Sequence, residues 1–381
     1  MRSNYKSIGQ YIKVVDVRNK EDKKDNLLGV SVSKVFIKSI ANTVGTDFTL
    51  YRVVKKNQFT YIPDTSRRGD KIGLALLDSV EEGLVSQAYT VFEITDKESL
   101  LPEYLMMWFR RPEFDRYARY ISHGSVREIF SWEDMCNVSL PIPHITKQKE
   151  IVKEYTVIQD RIAHNKQLIQ KLEETAQAIY KQWFVDFEFP DEEGKPYKSN
   201  GGEMVESELG IVPKGWAFGD MSDLYKFQYG MGNSNPNNGG RYPVYGSNGI
   251  IGGFDNFNNE DAPIIGHIGE NCGSLVFAQG KHYVTYNGVM CLIKNGINKY
   301  FGYCTLLSRD LKSQTRGSSQ PFVSYDMLYD IQIVIPDKKM LDKIGTILDP
   351  IFGKLLNNEK QIALLVETRN LLLSKLATIE N

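Results

Sequence analysis

The sequence predicts an α+β chain with an internal pseudo-twofold repeat: two α/β globular units, each followed by a long helix, the two helices packed as an antiparallel coiled coil. Three observations predict it. A heptad of apolar residues runs from Ile151 to Trp183. Adding 193 to each of its positions gives a second such series. Identities at the same offset extend beyond the heptads into the ends of both globular units.

The first heptad is two interleaved series, Ile151, Ile158, Asn165, Leu172, Ile179 and Tyr155, Ile162, Ile169, Ala176, Trp183. Steps of four and three alternate, with Asn165 the single non-apolar member. At about 1.5 Å per residue the helix is roughly 50 Å long, and its apolar stripe needs a partner helix. The offset supplies one: Ile344, Ile351, Asn358, Leu365, Leu372 with Leu348, Leu355, Ile362, Arg369, Leu376. The predicted seam is therefore Ile151, Tyr155, Ile158, Ile162, Asn165, Ile169 and Leu172 with Ile344, Ile351, Leu355, Asn358, Ile362 and Leu365. Asn165 and Asn358 lie near mid-helix. Either they form a polar layer that sets register, or each is solvated at a frayed seam. Off the seam, Glu174-Thr175 recur as Glu367-Thr368, Pro143 as Pro336, Gly124-Ser125 as Gly317-Ser318 and Ser131 as Ser324.

Taken in order, residues 1–143 form the first unit. Tyr11–Val17, Val35–Ile40, Thr49–Val54 and Ala88–Ile94 read as strands, and Ser66–Lys71 as a basic turn. Leu101–Ala118 reads as one helix, with Leu105, Trp108 and Phe109 inward and Arg110, Arg111, Arg116 and Arg119 outward. A loop at His123–Arg127 precedes a strand near Val138–Leu140. The first long helix occupies 144–190, with Thr146 as its expected N-cap. Residues 191–211 are polar and acidic and read as a linker. The second unit spans 212–336, and its Gly- and Asn-dense stretch Gly230–Gly253 predicts tight hairpins. The second long helix lies in 337–381. Asp349-Pro350 predicts a kink or a break there, because Pro disfavours helical geometry in the residue before it.

Bulk properties exclude some function classes. No apolar run approaches the length of a membrane span, and the N-terminus lacks the apolar core of a signal peptide. Cys136, Cys272, Cys291 and Cys304 are widely spaced, which predicts free thiols, no metal site and a cytoplasmic setting. Residues 1–143 carry 21 Lys/Arg against 19 Asp/Glu, and residues 212–336 carry 9 against 9. A nucleic-acid role thus needs local basic clusters or a basic partner. Catalytic motifs are not evident: there is no phosphate loop and no Asn-Pro-Pro-aromatic run. The stretch from Pro190 to Lys195 has nuclease-like residue types, but they are too close together and sit in the expected linker. His267 and His282 read as structural or DNA-edge residues rather than ligands.

Exposed polar residues on loop-rich units remain. Candidate DNA contacts are Arg67, Arg68, His123, Ser125 and Arg127 in the first unit. In the second they are Asn233, Arg241, Tyr245, Ser247, Asn248, Arg316, Ser318, Ser319 and Gln320. Asn and Gln match adenine edges, Arg matches guanine, and Ser or Tyr reaches bases or phosphates. For any one Asn, service in a turn is the rival reading. The two Gly-Ser loops are the better candidates, because they keep a common turn and differ around it, Val126-Arg127-Glu128 against Ser319-Gln320-Pro321.

The run Lys171–Phe184 with Leu209–Trp216 resembles the specificity (S) subunit of type I restriction–modification systems. Val85–Phe92 and Tyr242–Gly252 are similar to two further segments of that family. The order unit, helix, unit, helix matches over nearly the whole chain. The resemblance implies that 1–143 and 212–336 are target recognition domains, each reading one half of a bipartite, asymmetric site in double-stranded DNA. It implies that the helices act as a spacer and bind two methyltransferase subunits, to which restriction/translocase subunits attach. DNA methylation and cleavage then belong to those partners, and this chain is not an enzyme. S-adenosylmethionine, ATP and Mg are expected only on the partners, and no cofactor on this chain. A methylation-only system and a coiled-coil protein-binding adaptor are the alternatives.

Overall fold

The computed structural model describes residues 5–40, 45–66, 71–122, 128–207, 210–232, 239–313, 315–317 and 320–379. It divides into two compact units, Met1–His164 with Gln361–Asn381, and Asn165–Lys360.

In the first unit a four-stranded antiparallel sheet has the order Ile12–Val15, Thr90–Ile94, Phe59–Tyr61, Leu74–Leu76. Phe59 and Phe92 face each other across neighbouring strands and stack at 4.8 Å, with Phe109 edge-on to Phe59 at 5.9 Å. The helix Pro102–Phe109 packs in the same core and buries every residue but Glu103. The expected single helix Leu101–Ala118 is in fact two, Pro102–Phe109 and Pro112–Ser122. Pro112 has no amide hydrogen and its ring clashes with the preceding turn, so it opens a new helix instead of continuing the old one. The break turns Arg111 inward. It is buried, with its guanidinium 4.2 Å over the Trp108 ring, which corrects its expected outward placement.

In the second unit the main sheet has six strands, ordered Tyr225–Tyr229, Gly288–Ile293, Asn259–Gly266, Leu275–Val284, Tyr242–Gly246, Gly249–Phe254. All neighbours are antiparallel except Tyr242–Gly246 on Leu275–Val284. Asn298 caps the helix Lys299–Leu307 by accepting from the amides of Tyr300 and Phe301. The stretch expected to be a linker is tied to this unit. Phe189 stacks on Trp216 at 5.0 Å and on Tyr197 at 4.5 Å, and Met204–Ser207 pairs with Gly210–Pro213. Asp191 accepts from the amides of Glu193 and Lys195, so the nuclease-like carboxylate is a turn cap.

The long helices are Ile145–Phe184 and Lys338–Lys375, and their first residues stand 193 apart. The repeat also sets what precedes them. Ser131 and Ser324 are the N-cap residues of the short helices Trp132–Cys136 and Tyr325–Tyr329, followed by Ser139–Pro141 and Gln332–Ile335. In the first unit, Ile151 and Tyr155 from the start of the first long helix share a core with Leu372, Leu373 and Leu376 from the end of the second. In the second unit the ends exchange roles: Ile169, Leu172 and Ala176 pack with Ile344, Leu348 and Leu355. The pairing is therefore antiparallel, and every predicted seam residue is buried or half-buried.

Two expectations about these helices change. Thr146 is not the N-cap, since the helix already includes Ile145 and the His144 carbonyl accepts from the Lys147 amide. The break at Asp349-Pro350 is not there either. Lys338–Lys375 runs through Pro350. Leu348 and Phe352 on either side are buried, Tyr300 stacks on Phe352 at 4.3 Å, and Asp349 accepts from Asn298, so packing outweighs the missing hydrogen bond.

Asn165 and Asn358 are both buried, so neither is solvated at a frayed seam. The Asn358 side chain donates to the Lys354 carbonyl in its own helix at 2.9 Å. Replacing both by Leu is expected to raise the melting temperature, as loss of a buried polar layer does, while weakening assembly with partner subunits through mixed register. A melting curve with size-exclusion analysis of the assembled complex checks this. Unchanged assembly would remove the register role.

Candidate nucleic-acid interface

Each unit builds the same stem beneath its Gly-Ser loop. In the first unit Ile129 bridges Asp64, and the Phe130 amide donates to the Pro63 carbonyl at 2.9 Å. In the second, Phe322 bridges Ile268, and the Val323 amide donates to the His267 carbonyl at 3.0 Å. Ile129 and Phe322, and likewise Phe130 and Val323, are repeat partners at the offset of 193. So in both halves a segment from earlier in the chain is fastened to the strand that follows the Gly-Ser pair.

The first stem is reinforced by side chains. Thr65 donates its amide and its hydroxyl to the Glu128 carbonyl, and Arg119 reaches the Glu128 carboxylate at 3.0 Å. Ser66 is fixed by Asp64 through its amide and hydroxyl. The sequence candidates carried by this stem, Arg67, Arg68, His123, Ser125 and Arg127, lie outside the described residues.

The second stem rests on an aromatic cluster. Tyr229 stacks on Tyr325 at 4.0 Å and lies 4.3 Å from the His267 ring, and Tyr286 packs edge-on to His267 at 5.4 Å. The Tyr229 amide donates to the Tyr325 hydroxyl oxygen, and His267 Nδ1 lies 2.8 Å from the Val323 carbonyl. Burial raises the pKa of both Tyr229 and Tyr325, so these hydroxyls stay neutral at physiological pH. Arg316 and Phe322 pair through both backbone bonds around Gly317, whose φ of +90° would strain any other residue. Arg316, Gly317 and Gln320 are exposed at this tip. Tyr286, on the His267 ring, is 43% exposed, and its amide is held by the Gly232 carbonyl. Tyr286 was missed in the sequence because a lone Tyr before Asn-Gly reads as a turn.

Elsewhere in this unit, Ser247 and Asn248 form the two-residue turn of the hairpin Tyr242–Gly246 and Gly249–Phe254. Asn248 is exposed, and the Ser247 carbonyl is held by the Ser274 hydroxyl at 2.9 Å. Arg241 is exposed, 5.4 Å over the Tyr242 ring.

Residues 213–367 match the family model of the Type I restriction modification DNA specificity domain. The chain is 26% identical over 319 residues to the type I restriction enzyme MjaIX specificity subunit of Methanocaldococcus jannaschii, covering 74% of this chain and 70% of that one. The chain is thus similar to type I restriction–modification specificity subunits, through the DNA specificity domain matched in its second unit. A second relative, the HindI specificity subunit of Haemophilus influenzae, is 29% identical over 164 residues, or 42% of this chain and 35% of that one. The fold is similar to the crystal structure of a type I restriction–modification S subunit from M. genitalium. The TM-score is 0.58 at 16% identity, covering 99% and 96% of the two chains.

Among the candidate contacts, Arg241, Asn248, Arg316 and Gln320 are presented to solvent and Ser247 is half-buried. Asn233, Ser318 and Ser319 lie outside the described residues. Tyr245 is only 8% exposed and packs with Ile264, Ala278, Val284 and Met290. Val244 beside it is buried as well, so the end of this strand is covered on both faces. As folded Tyr245 does not present a base-reading edge. His282 is fully buried with Nδ1 2.8 Å from the Gly280 carbonyl. Burial lowers its pKa, so it is a neutral structural residue. Among the described residues no helix is long and apolar enough to cross a membrane.

Proposed function

We propose that this chain is the specificity subunit of a type I restriction–modification system, that it reads a bipartite, asymmetric site in double-stranded DNA, one half per unit, and that it directs adenine methylation or restriction by partner subunits without catalysing either. The observation that carries this reading is the repeated stem. Two units offer loops from one frame, with different residues at the tips, which is what recognition of two unlike half-sites requires. We further propose that two methyltransferase subunits and the restriction/translocase subunits assemble on this chain. S-adenosylmethionine, ATP and Mg would then serve the partners. The helix Ile145–Phe184 crosses from one unit into the other, which supports its proposed role as the spacer.

Co-expression with the cognate methyltransferase and genome-wide mapping of methylated adenines tests the reading. The expected result is one motif with two specified parts separated by an unspecified gap. A contiguous motif, or methylation that does not depend on this chain, would refute it.

A further inference from the structure

In the first unit a cleft of about 480 Å³ opens where the Val32–Val35 turn, the start of Pro112–Ser122 and the two long helices meet. Its acidic lining is already paired. Asp115 holds the buried Lys34 at 2.5 Å, and Glu113 lies 3.2 Å from Arg116 and 3.5 Å from Arg111. Its other cations, Lys71, Arg110 and Arg369, have no carboxylate within 4.0 Å among the described residues. Arg110 donates to the Tyr155 hydroxyl at 3.2 Å with its guanidinium 5.6 Å over that ring. Arg369 donates to the Asn370 side-chain oxygen at 3.1 and 3.3 Å. Both guanidinium groups are thus positioned by neutral partners and keep donors to spare. Ser33, Gln159 and Ser374 add uncharged hydrogen-bonding groups to the wall.

Arg369 is also where the repeat departs from its own pattern. The heptad asks for an apolar residue there, and the counterpart Ala176 is buried in the second unit's core. In the first unit the seam position carries charge, and that charge faces a cleft.

We propose that this cleft grips a backbone phosphate of the bound duplex, with Arg110 and Arg369 as fork-like donors and Lys71 as a point charge. The proposal rests on the chain being a DNA-reading subunit. Guanidinium forks match the geometry of a phosphodiester. Near-neutral charge over the chain means that the phosphate contacts this chain itself makes come from local clusters such as this one. A contact of this type fixes the protein's place on the duplex and carries no sequence information.

The test uses the assembled methyltransferase complex with wild type, Arg369→Ala, Arg369→Lys and the double variant Arg110→Ala/Arg369→Ala. DNA affinity is measured across a salt series on a duplex bearing the mapped motif and on an unrelated duplex. The double variant is expected to bind both duplexes more weakly by the same factor, with a salt slope shallower by about 1. Its methylated motif stays the same, and Arg369→Lys keeps the wild-type slope. Melting curves establish that the variants are folded. Unchanged affinity and slope in the double variant would overturn the proposal. So would an altered motif, which would make these residues base readers. Loss of the methyltransferase with the slope intact would instead make the cleft a protein contact. If the wild-type complex shows no preference for its motif duplex, the DNA-reading function itself fails. Wild-type preference with a slope insensitive to these variants removes the phosphate grip alone.

Discussion

Asp115→Ala is expected to lower the unfolding free energy of the first unit by about 3–5 kcal/mol, the usual cost of removing one member of a buried ion pair. Lys34 is 5% exposed and Asp115 8%, so neither charge is stabilised by water. The Lys34 ammonium lies 2.5 Å from Asp115 and 3.2 Å from the Ile72 carbonyl, with the Phe114 ring 5.2 Å away. The same carboxylate accepts the Ile72 amide at 3.1 Å. Removing it therefore strands a buried cation and a buried N–H together. Burial already pulls the Lys34 pKa below its usual range, and Asp115 opposes that shift. Lys34 also holds a φ of +63°, a conformation that a Lys adopts only where its surroundings fix it. Urea unfolding followed through Trp108 and Trp132 reports on this unit. Exchanging both partners for apolar residues is expected to recover much of the loss. A loss below about 1 kcal/mol for Asp115→Ala would show that water reaches the pair.

Ala176→Arg is expected to cost the second unit about 4 kcal/mol or more, whereas Arg369→Ala at the repeat-related position changes stability by less than about 1 kcal/mol. Ala176 is 1% exposed, in a core it shares with Tyr180, Trp183, Phe184, Trp216 and Phe301. An Arg there overfills a close-packed aromatic cluster and brings a charge with no partner. Arg369 is half-buried at the cleft, and Ala loses only its bond to Asn370 and the packing of its stem. Thermal unfolding of the two variants side by side checks the contrast. Equal effects would mean that the two positions share one environment.

The architecture was legible because a repeat is visible without any coordinates. The offset of 193 carried Ser131 to Ser324 and the heptad of one helix to the other, and the structure starts both long helices at that spacing. What could not be read is where local rules met tertiary packing. Pro112 splits a helix, while Pro350 is absorbed into one because Leu348 and Phe352 anchor both its sides. Asp191 looked like a linker carboxylate until its turn was seen to be tied to Phe189 and Trp216. At the interface, the Gly-Ser loops were found from their repetition, but their stems needed the fold. Asp64 with Ile129 and Ile268 with Phe322 are brought together across long stretches of chain. Tyr245 was misplaced because polarity alone does not tell whether a strand face is covered, and Tyr286 was passed over for the same lack of context.

We propose that each unit reads its own half of the DNA site. It is tested most directly by exchanging residues 1–143 for the corresponding segment of a relative with a different specificity, then mapping methylated adenines in cells carrying the hybrid and the cognate methyltransferase. The expected motif has one half replaced, the other half kept and the gap unchanged. A motif altered in both halves, or left wholly intact, would contradict it.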